Sequence, residues 1–185
     1  MPTESGRRGG RPRVVVDGLG AVVAWMGRPR RVAAVVAAWC AALLAAGLYL
    51  QHVVGLEPCP MCIVQRYALL LTLATAVLAV WVRVALVRTL LGVGALWAVF
   101  GAVVAARQSW LQWFPPEVAA CGRDFYGMIE AFPLRRAIPM IFRGSGDCTA
   151  IDWTFLGLSI ANWSFLHFAA LTVVLGSTAW LAGRR

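Results

Sequence analysis

The chain is 185 residues long and 61% hydrophobic, with a mean hydropathy of +0.74. That apolarity exceeds what an ordinary soluble domain carries and fits a small polytopic membrane protein. All 17 basic residues are arginine against eight acids, a net charge of +9; in so apolar a chain this excess reads as arginine at the cytoplasmic ends of membrane spans, and no nucleic-acid partner is expected.

Residues 1–31 hold Arg7, Arg8, Arg11, Arg13, Arg28, Arg30 and Arg31 against Glu4 and Asp17 only. Such a leader cannot bury enough apolar area to order itself and is expected to be a disordered cytoplasmic segment. Its one apolar stretch, Val14–Gly27, is too short to cross a bilayer and is interrupted by Asp17. Met26, just ahead of the last arginine cluster, is read as an alternative start site. The first predicted span covers residues 32–54 without a charge; at 1.5 Å per residue it reaches roughly 34 Å, enough for the hydrocarbon core. A short loop, 55–61, leads to a second span at about 62–82, and Arg83 and Arg88 flank a tight return to a third at about 89–106. Gly92, Gly94 and Gly101 in the third span are expected to let helices approach closely rather than to bind phosphate. A long segment, 108–161, carries five of the eight acids together with Cys121 and Cys148. Within it Trp153–Ile160 is apolar but short and is expected to lie along the membrane interface. The fourth predicted span, about 162–182, ends in a short tail, 183–185, with Arg184 and Arg185.

Four spans put both termini on one side. Seven arginines before the first span, two at 83 and 88 and two at the C-terminus place eleven of the 17 on that side, whereas the long loop sets four arginines against five acids. The positive-inside rule therefore assigns the termini to the cytoplasm and both cysteine-bearing loops to the opposite face, with Trp110, Trp113, Trp153 and Trp163 marking the outer interface. The predicted fold is an all-α membrane protein, a four-helix bundle over 32–182 with a short first and a long second periplasmic loop.

The chemistry centres on LEPCPMCIVQR at 56–66. A C-x-x-C pair closes into a disulfide, and its thiolate is activated by a helix N-terminus or a nearby cation. Cys62 is predicted to open an apolar helix with Arg66 four residues on, along the same face. A four-residue ring restrains little of the unfolded chain, so a purely structural staple at Cys59–Cys62 is a weak reading; for Cys121 and Cys148 a staple is a stronger alternative. Four cysteines could also hold zinc, but those loops contain no histidine. Two pairs on one oxidising face can instead hand a disulfide between them by thiolate attack. An arginine one turn inside a span faces a partner or a wet pocket unless it snorkels, and at this depth it could donate to a lipid-soluble carbonyl acceptor such as a quinone. Cys40 is read as a small apolar packing residue, His52 and His167 as structural or interfacial, and Pro60 and Met61 as tuning the loop rather than binding copper.

The stretch PCPMCIVQRYALLL, the RQSWLQWFPP entry to the long loop, the CG and GDC cysteines and WTFLGLSI before the last span together resemble the DsbB family of disulfide-forming membrane proteins, over roughly 32–182. That family serves the DsbA–DsbB–quinone route that keeps the bacterial periplasm oxidising. The resemblance implies a protein-dithiol:quinone oxidoreductase of the inner membrane. A reduced DsbA-like thioredoxin-fold oxidase would attack Cys121 of a Cys121–Cys148 disulfide; released Cys148 would attack Cys59 and free Cys62. Electrons would then pass to ubiquinone, or to menaquinone, with Arg66 aiding both the Cys62 thiolate and the quinone. Gln108 departs from the histidine that the family often places near its quinone, and the leader is longer than expected. The alternative from another class is a non-catalytic membrane scaffold with stapled loops.

Overall fold

The computed structural model describes residues 27–115, 138–139, 141–142, 146–151 and 153–184. Its elements are α1 (Pro29–His52), α2 (Pro60–Trp81), α3 (Val84–Trp113), a single turn α4 (Gly146–Thr149), the two-residue strands β1 (Thr154–Phe155) and β2 (Leu158–Ser159), and α5 (Ile160–Ala182). The four long helices are each long and apolar enough to cross a membrane.

Local signals explain the boundaries. Proline stands in the first turn of both α1 and α2, where its missing N–H has no intrahelical partner to lose. Cys59 caps α2, its sulfur accepting the Cys62 N–H at 3.3 Å. Ser159 caps α5 in the same way, accepting the Asn162 N–H at 3.3 Å. The described spans fall within a few residues of the predicted ones except for the third. There α3 begins five residues before the expected 89 and runs seven beyond the expected 106. The polar run Arg107–Gln112 looked like loop, yet Gln108, Ser109 and Leu111 are buried along the helix, and Gln108 and Gln112 find hydrogen-bond partners inside the protein. The long connecting segment therefore starts at Phe114.

Trp153–Ile160, expected as an interfacial stretch, has a defined local structure. It folds into an antiparallel hairpin pairing Thr154 with Ser159 and Phe155 with Leu158. The turn residues Leu156 (φ 51°) and Gly157 (φ 78°) both lie in the left-handed region, the conformation that a two-residue hairpin turn requires. The Ser159 hydroxyl donates to Gln112 Oε1 at 2.6 Å and pins the hairpin to α3.

α3 is the central helix, packed along both α2 and α5; α1 lies on α2 and touches α5 less extensively. Cys40 is fully buried in the shared core with Val36, Ala68, Leu91, Leu171 and Leu175, the packing role expected of it. Threonines facing this core satisfy themselves within their helices: Thr72 donates to Ala68 O at 2.8 Å and Thr178 to Val174 O at 2.7 Å. The outward faces are apolar, with Val35, Trp39, Leu78, Leu96, Val103 and Val173 exposed and Trp81 83% exposed. Hydrocarbon, not water, suits such a surface, and the protein is a multi-pass membrane protein.

Two of the three glycines singled out in α3 are contact residues. A Cβ at Gly101 would stand 2.4 Å from the Phe168 ring and one at Gly94 would stand 2.9 Å from Thr75 Oγ1, whereas one at Gly92 meets nothing within 4 Å. Gly92 thus lacks the packing role expected of it. Overpacking a tight core costs roughly 1–3 kcal/mol. Gly101→Ala is expected to lower the thermal unfolding midpoint in detergent and Gly92→Ala to leave it within error; equal effects would refute this assignment of the α3–α5 contact.

Candidate functional site

The N-terminal end of α2 carries the sulfur chemistry. As cap and third helical residue, Cys59 and Cys62 are brought together by the first turn itself, with their sulfurs 2.7 Å apart. Closing the bond needs only small side-chain movement. Cys148, on the single turn α4, is fully buried and packs in a cluster with Cys59, Met61, Val104, Leu111 and Ile141. It shares a hydrogen bond with Cys59. The second loop thus delivers its cysteine onto the first pair. Cys121 lies outside the described residues.

Cys59, just ahead of α2, has its thiol held above the ordinary range. The hydrogen bond with Cys148 is the largest cause, followed by the one with Cys62 and then burial. Each favours the neutral thiol over the thiolate.

Two glutamines absent from the predicted site complete it. Gln108 Nε2 donates to Cys59 Sγ and to Cys62 Sγ, both at 3.3 Å. Its carbonyl oxygen accepts from Gln65 Nε2 at 2.7 Å and lies 3.8 Å from the Cys62 thiol. Both side chains are buried, Gln65 6% and Gln108 4% exposed. The residues stand 43 apart in sequence, so no local spacing signals the pair. In the sequence, Gln108 stands out only as a departure from a family pattern.

Arg66 is placed differently from expectation. Its guanidinium donates to Gln51 Oε1 and, at 3.0 Å, to the Gly47 carbonyl, both on α1. The donors on the two sulfurs are instead Gln108 and the Cys62 backbone N–H. Arg66 nevertheless lines the cavity next to the cysteines.

That cavity has a volume of about 490 Å³ and is bounded by α1, α2, α3, α5 and the hairpin. Leu43, Leu44, Leu69, Phe168 and Leu171 give it apolar walls, while Cys62, Gln65, Arg66 and Gln108 bring polar groups to the α2 N-terminus. Trp153, Phe155 and Trp163 stand around it from the hairpin side, with Trp163 Nε1 donating to Phe155 O at 3.0 Å. His167, expected to be structural or interfacial, also lines the cavity. Its Nδ1 lies 2.6 Å from the Trp163 carbonyl, and its ring stacks on Trp39 at 5.6 Å between centroids. An apolar chamber with a few convergent polar groups is the usual form of a small-molecule site. A flat apolar ring bearing carbonyls fits this one, with N–H donors at the sulfur end and hydrocarbon walls beyond.

Because the thiol form is favoured at Cys59, its interactions contribute to stability below the ordinary thiol range near pH 8.5 and are lost as pH rises through the higher folded value. In the reduced protein at pH 8, iodoacetamide is expected to modify Cys59 at least tenfold more slowly than in the unfolded chain, and Cys148→Ala is expected to recover part of that rate. Equal rates in folded and unfolded protein would contradict the buried Cys59–Cys148 contact.

Residues 29–178 match the family model described as DsbB, disulfide bond formation protein DsbB. The chain is 71% identical over 150 residues to the disulfide bond formation protein B of Polaromonas sp. (strain JS666 / ATCC BAA-500), covering 79% of this chain and 88% of that protein. Against the proteins of the same name from Polaromonas naphthalenivorans (strain CJ2) and Acidovorax sp. (strain JS42), identity is 68% over 152 residues and 63% over 154. These alignments cover 82% and 80% of this chain and 89% and 85% of the two relatives.

Proposed function

The chain belongs to the DsbB family of disulfide bond formation proteins, and from that premise we propose that it is a protein-dithiol:quinone oxidoreductase. On this reading it reoxidises a periplasmic DsbA-like thioredoxin-fold oxidase and sits in the bacterial inner membrane with its sulfur-bearing loops in the periplasm. The observation that carries the proposal is Cys148 packed on Cys59, with Cys62 beside it opening onto the cavity.

The sulfur steps follow from thiol–disulfide exchange. The partner's thiolate attacks Cys121, breaking the Cys121–Cys148 bond, forming a mixed disulfide with Cys121 and releasing Cys148 as thiolate. The partner's second thiol resolves that mixed disulfide and leaves Cys121 reduced. Cys148 attacks Cys59, the Cys59–Cys148 bond forms, the Cys59–Cys62 bond breaks, and the electron pair leaves on Cys62. Geometry supports the regiochemistry: Cys59 is buried in one cluster with Cys148, whereas Cys62 lies at its margin.

Cys121 attacks Cys148, re-forming the Cys121–Cys148 bond and freeing Cys59; oxidation of the Cys59/Cys62 dithiol back to its disulfide then releases two electrons and two protons, which a quinone held in the cavity would accept. Arg66 is held in the wall by Gln51 and Gly47 and has further N–H groups with which to hold a carbonyl oxygen. The apolar walls and aromatic residues exclude water from the sulfur pair.

In an anaerobic assay of the purified protein with a reduced thioredoxin-fold oxidase and quinone, single serine substitutions at Cys59, Cys62, Cys121 or Cys148 are each expected to stop turnover. Quinone-coupled oxidation retained by Cys62→Ser would reject the mechanism. Arg66→Ala is expected to raise the apparent quinone KM at least tenfold with the loop cysteines still oxidised; an unchanged KM would remove its assigned role. A scaffold with inert staples would show no quinone dependence at all.

A further inference from the structure

We propose that the charge released on Cys62 is held by the neutral amide of Gln108, which Gln65 aligns, and not by the Arg66 guanidinium. The inference deepens the exchange chemistry proposed above and rests on that reading for its use in turnover. Its geometric basis is independent of any acceptor.

An amide side chain has one acceptor end and one donor end, and which end faces a neighbour decides whether it supports or opposes negative charge there. Here Gln65 Nε2 donates to Gln108 Oε1 at 2.7 Å. That bond holds the carbonyl on the Gln65 side, 3.8 Å from Cys62 Sγ, and presents the NH₂ group closer, with Nε2 at 3.3 Å from each sulfur. Both side chains are at least nine-tenths buried, and flipping the amide would place a carbonyl dipole against two sulfurs. The arrangement is an anion hole built for sulfur: N–H donors held in advance where charge appears when the Cys59–Cys62 bond opens. The Cys62 backbone N–H, pointing at Cys59 Sγ, adds the start of the helix dipole to the same site.

Arg66 is one turn below Cys62, but its guanidinium is engaged by Gln51 and the Gly47 carbonyl on α1. Among the described residues, the other titratable groups around Cys62 are Cys59, Cys148 on α4, Glu57 from the short loop and His167 from α5. None of these is a fixed cation on the sulfur. Gln108 is thus a residue that touches the reacting atoms, and Gln65 is a positioning residue acting through it.

The test uses the full-length, fully reduced protein in detergent, without quinone or partner, and measures alkylation of Cys62 by iodoacetamide across pH with peptide-level mass spectrometry. The position of the rate–pH profile reports how readily the thiolate forms, whereas a change in packing alters the plateau. Gln108→Met keeps the bulk and removes the donor; it is expected to slow Cys62 alkylation at pH 7 about tenfold, a loss of about 1.4 kcal/mol, by moving the profile to higher pH. Gln65→Met is expected to move it in the same direction by several-fold, and the double variant no further than Gln108→Met alone, because the two act in series. Arg66→Met is expected to stay within twofold of wild type. A wild-type profile in Gln108→Met, or a shift in Arg66→Met as large as that in Gln108→Met, overturns the proposal. A wild-type profile in Gln65→Met, or a double variant equal to the product of the single effects, overturns the positioning role. None of these readings depends on quinone reduction, so the oxidoreductase reading stands or falls separately in the turnover assay.

Discussion

A cysteine caps α2, and the rest of the site depends on that single bond. The Cys62 N–H has no partner within its own helix, and the Cys59 sulfur takes it at 3.3 Å. The cap fixes the two sulfurs side by side at a helix N-terminus, where negative charge is favoured, and puts them at the end of a hydrophobic span. Pro60 strengthens the commitment by setting the backbone for the first turn. Once the cap is made, both cysteines line the cavity and pack at the Cys148 cluster, Cys59 within it and Cys62 at its margin. The same reactive pair therefore faces a sulfur on one side and an apolar chamber on the other.

The bilayer imposes the second constraint. Its hydrocarbon offers polar side chains no hydrogen bonds, so those within the bundle must find partners there. The threonines turn back on their own helices. The glutamines cannot, and they meet across the bundle instead: Gln65 with Gln108, Gln51 with Arg66, and Gln112 with Ser159. Gln65, Arg66, Gln108, Gln112 and Ser159 from these pairings line the cavity. The requirement to satisfy polar groups in lipid thus produces the donors that the chemistry uses, and Gly101 lets α5 approach α3 closely enough to hold them.

Much of this was legible in the residues themselves. Long apolar runs marked all four spans, with Arg66 as the single charge in the predicted second one, because length and scarcity of charge decide whether a helix can cross a bilayer. The spacing of Cys59, Cys62 and Arg66 announced a reactive pair near an intramembrane cation. What escaped depends on tertiary partners. The last two turns of α3 look polar until Gln108 is seen paired, and Leu156 gives no hint that it will adopt a positive φ beside Gly157. Arg66 looked like the partner of Cys62 because they share a helix face; nothing local shows that Gly47 and Gln51 on α1 hold its guanidinium. The meeting of Cys148 with Cys59, 89 positions apart in the chain, is implied by the family resemblance but by no local spacing; it comes from how α4 packs on the end of the bundle.

The central claim is that the long loop's sulfur is delivered onto Cys59, so the most direct measurement is a crosslink. In a protein carrying Cys62→Ala and Cys121→Ala, brief oxidation with diamide followed by peptide mapping is predicted to yield an intramolecular Cys59–Cys148 disulfide within seconds, with Cys40 unmodified. Failure of those two sulfurs to join, while Cys148 instead links separate molecules, would contradict the account.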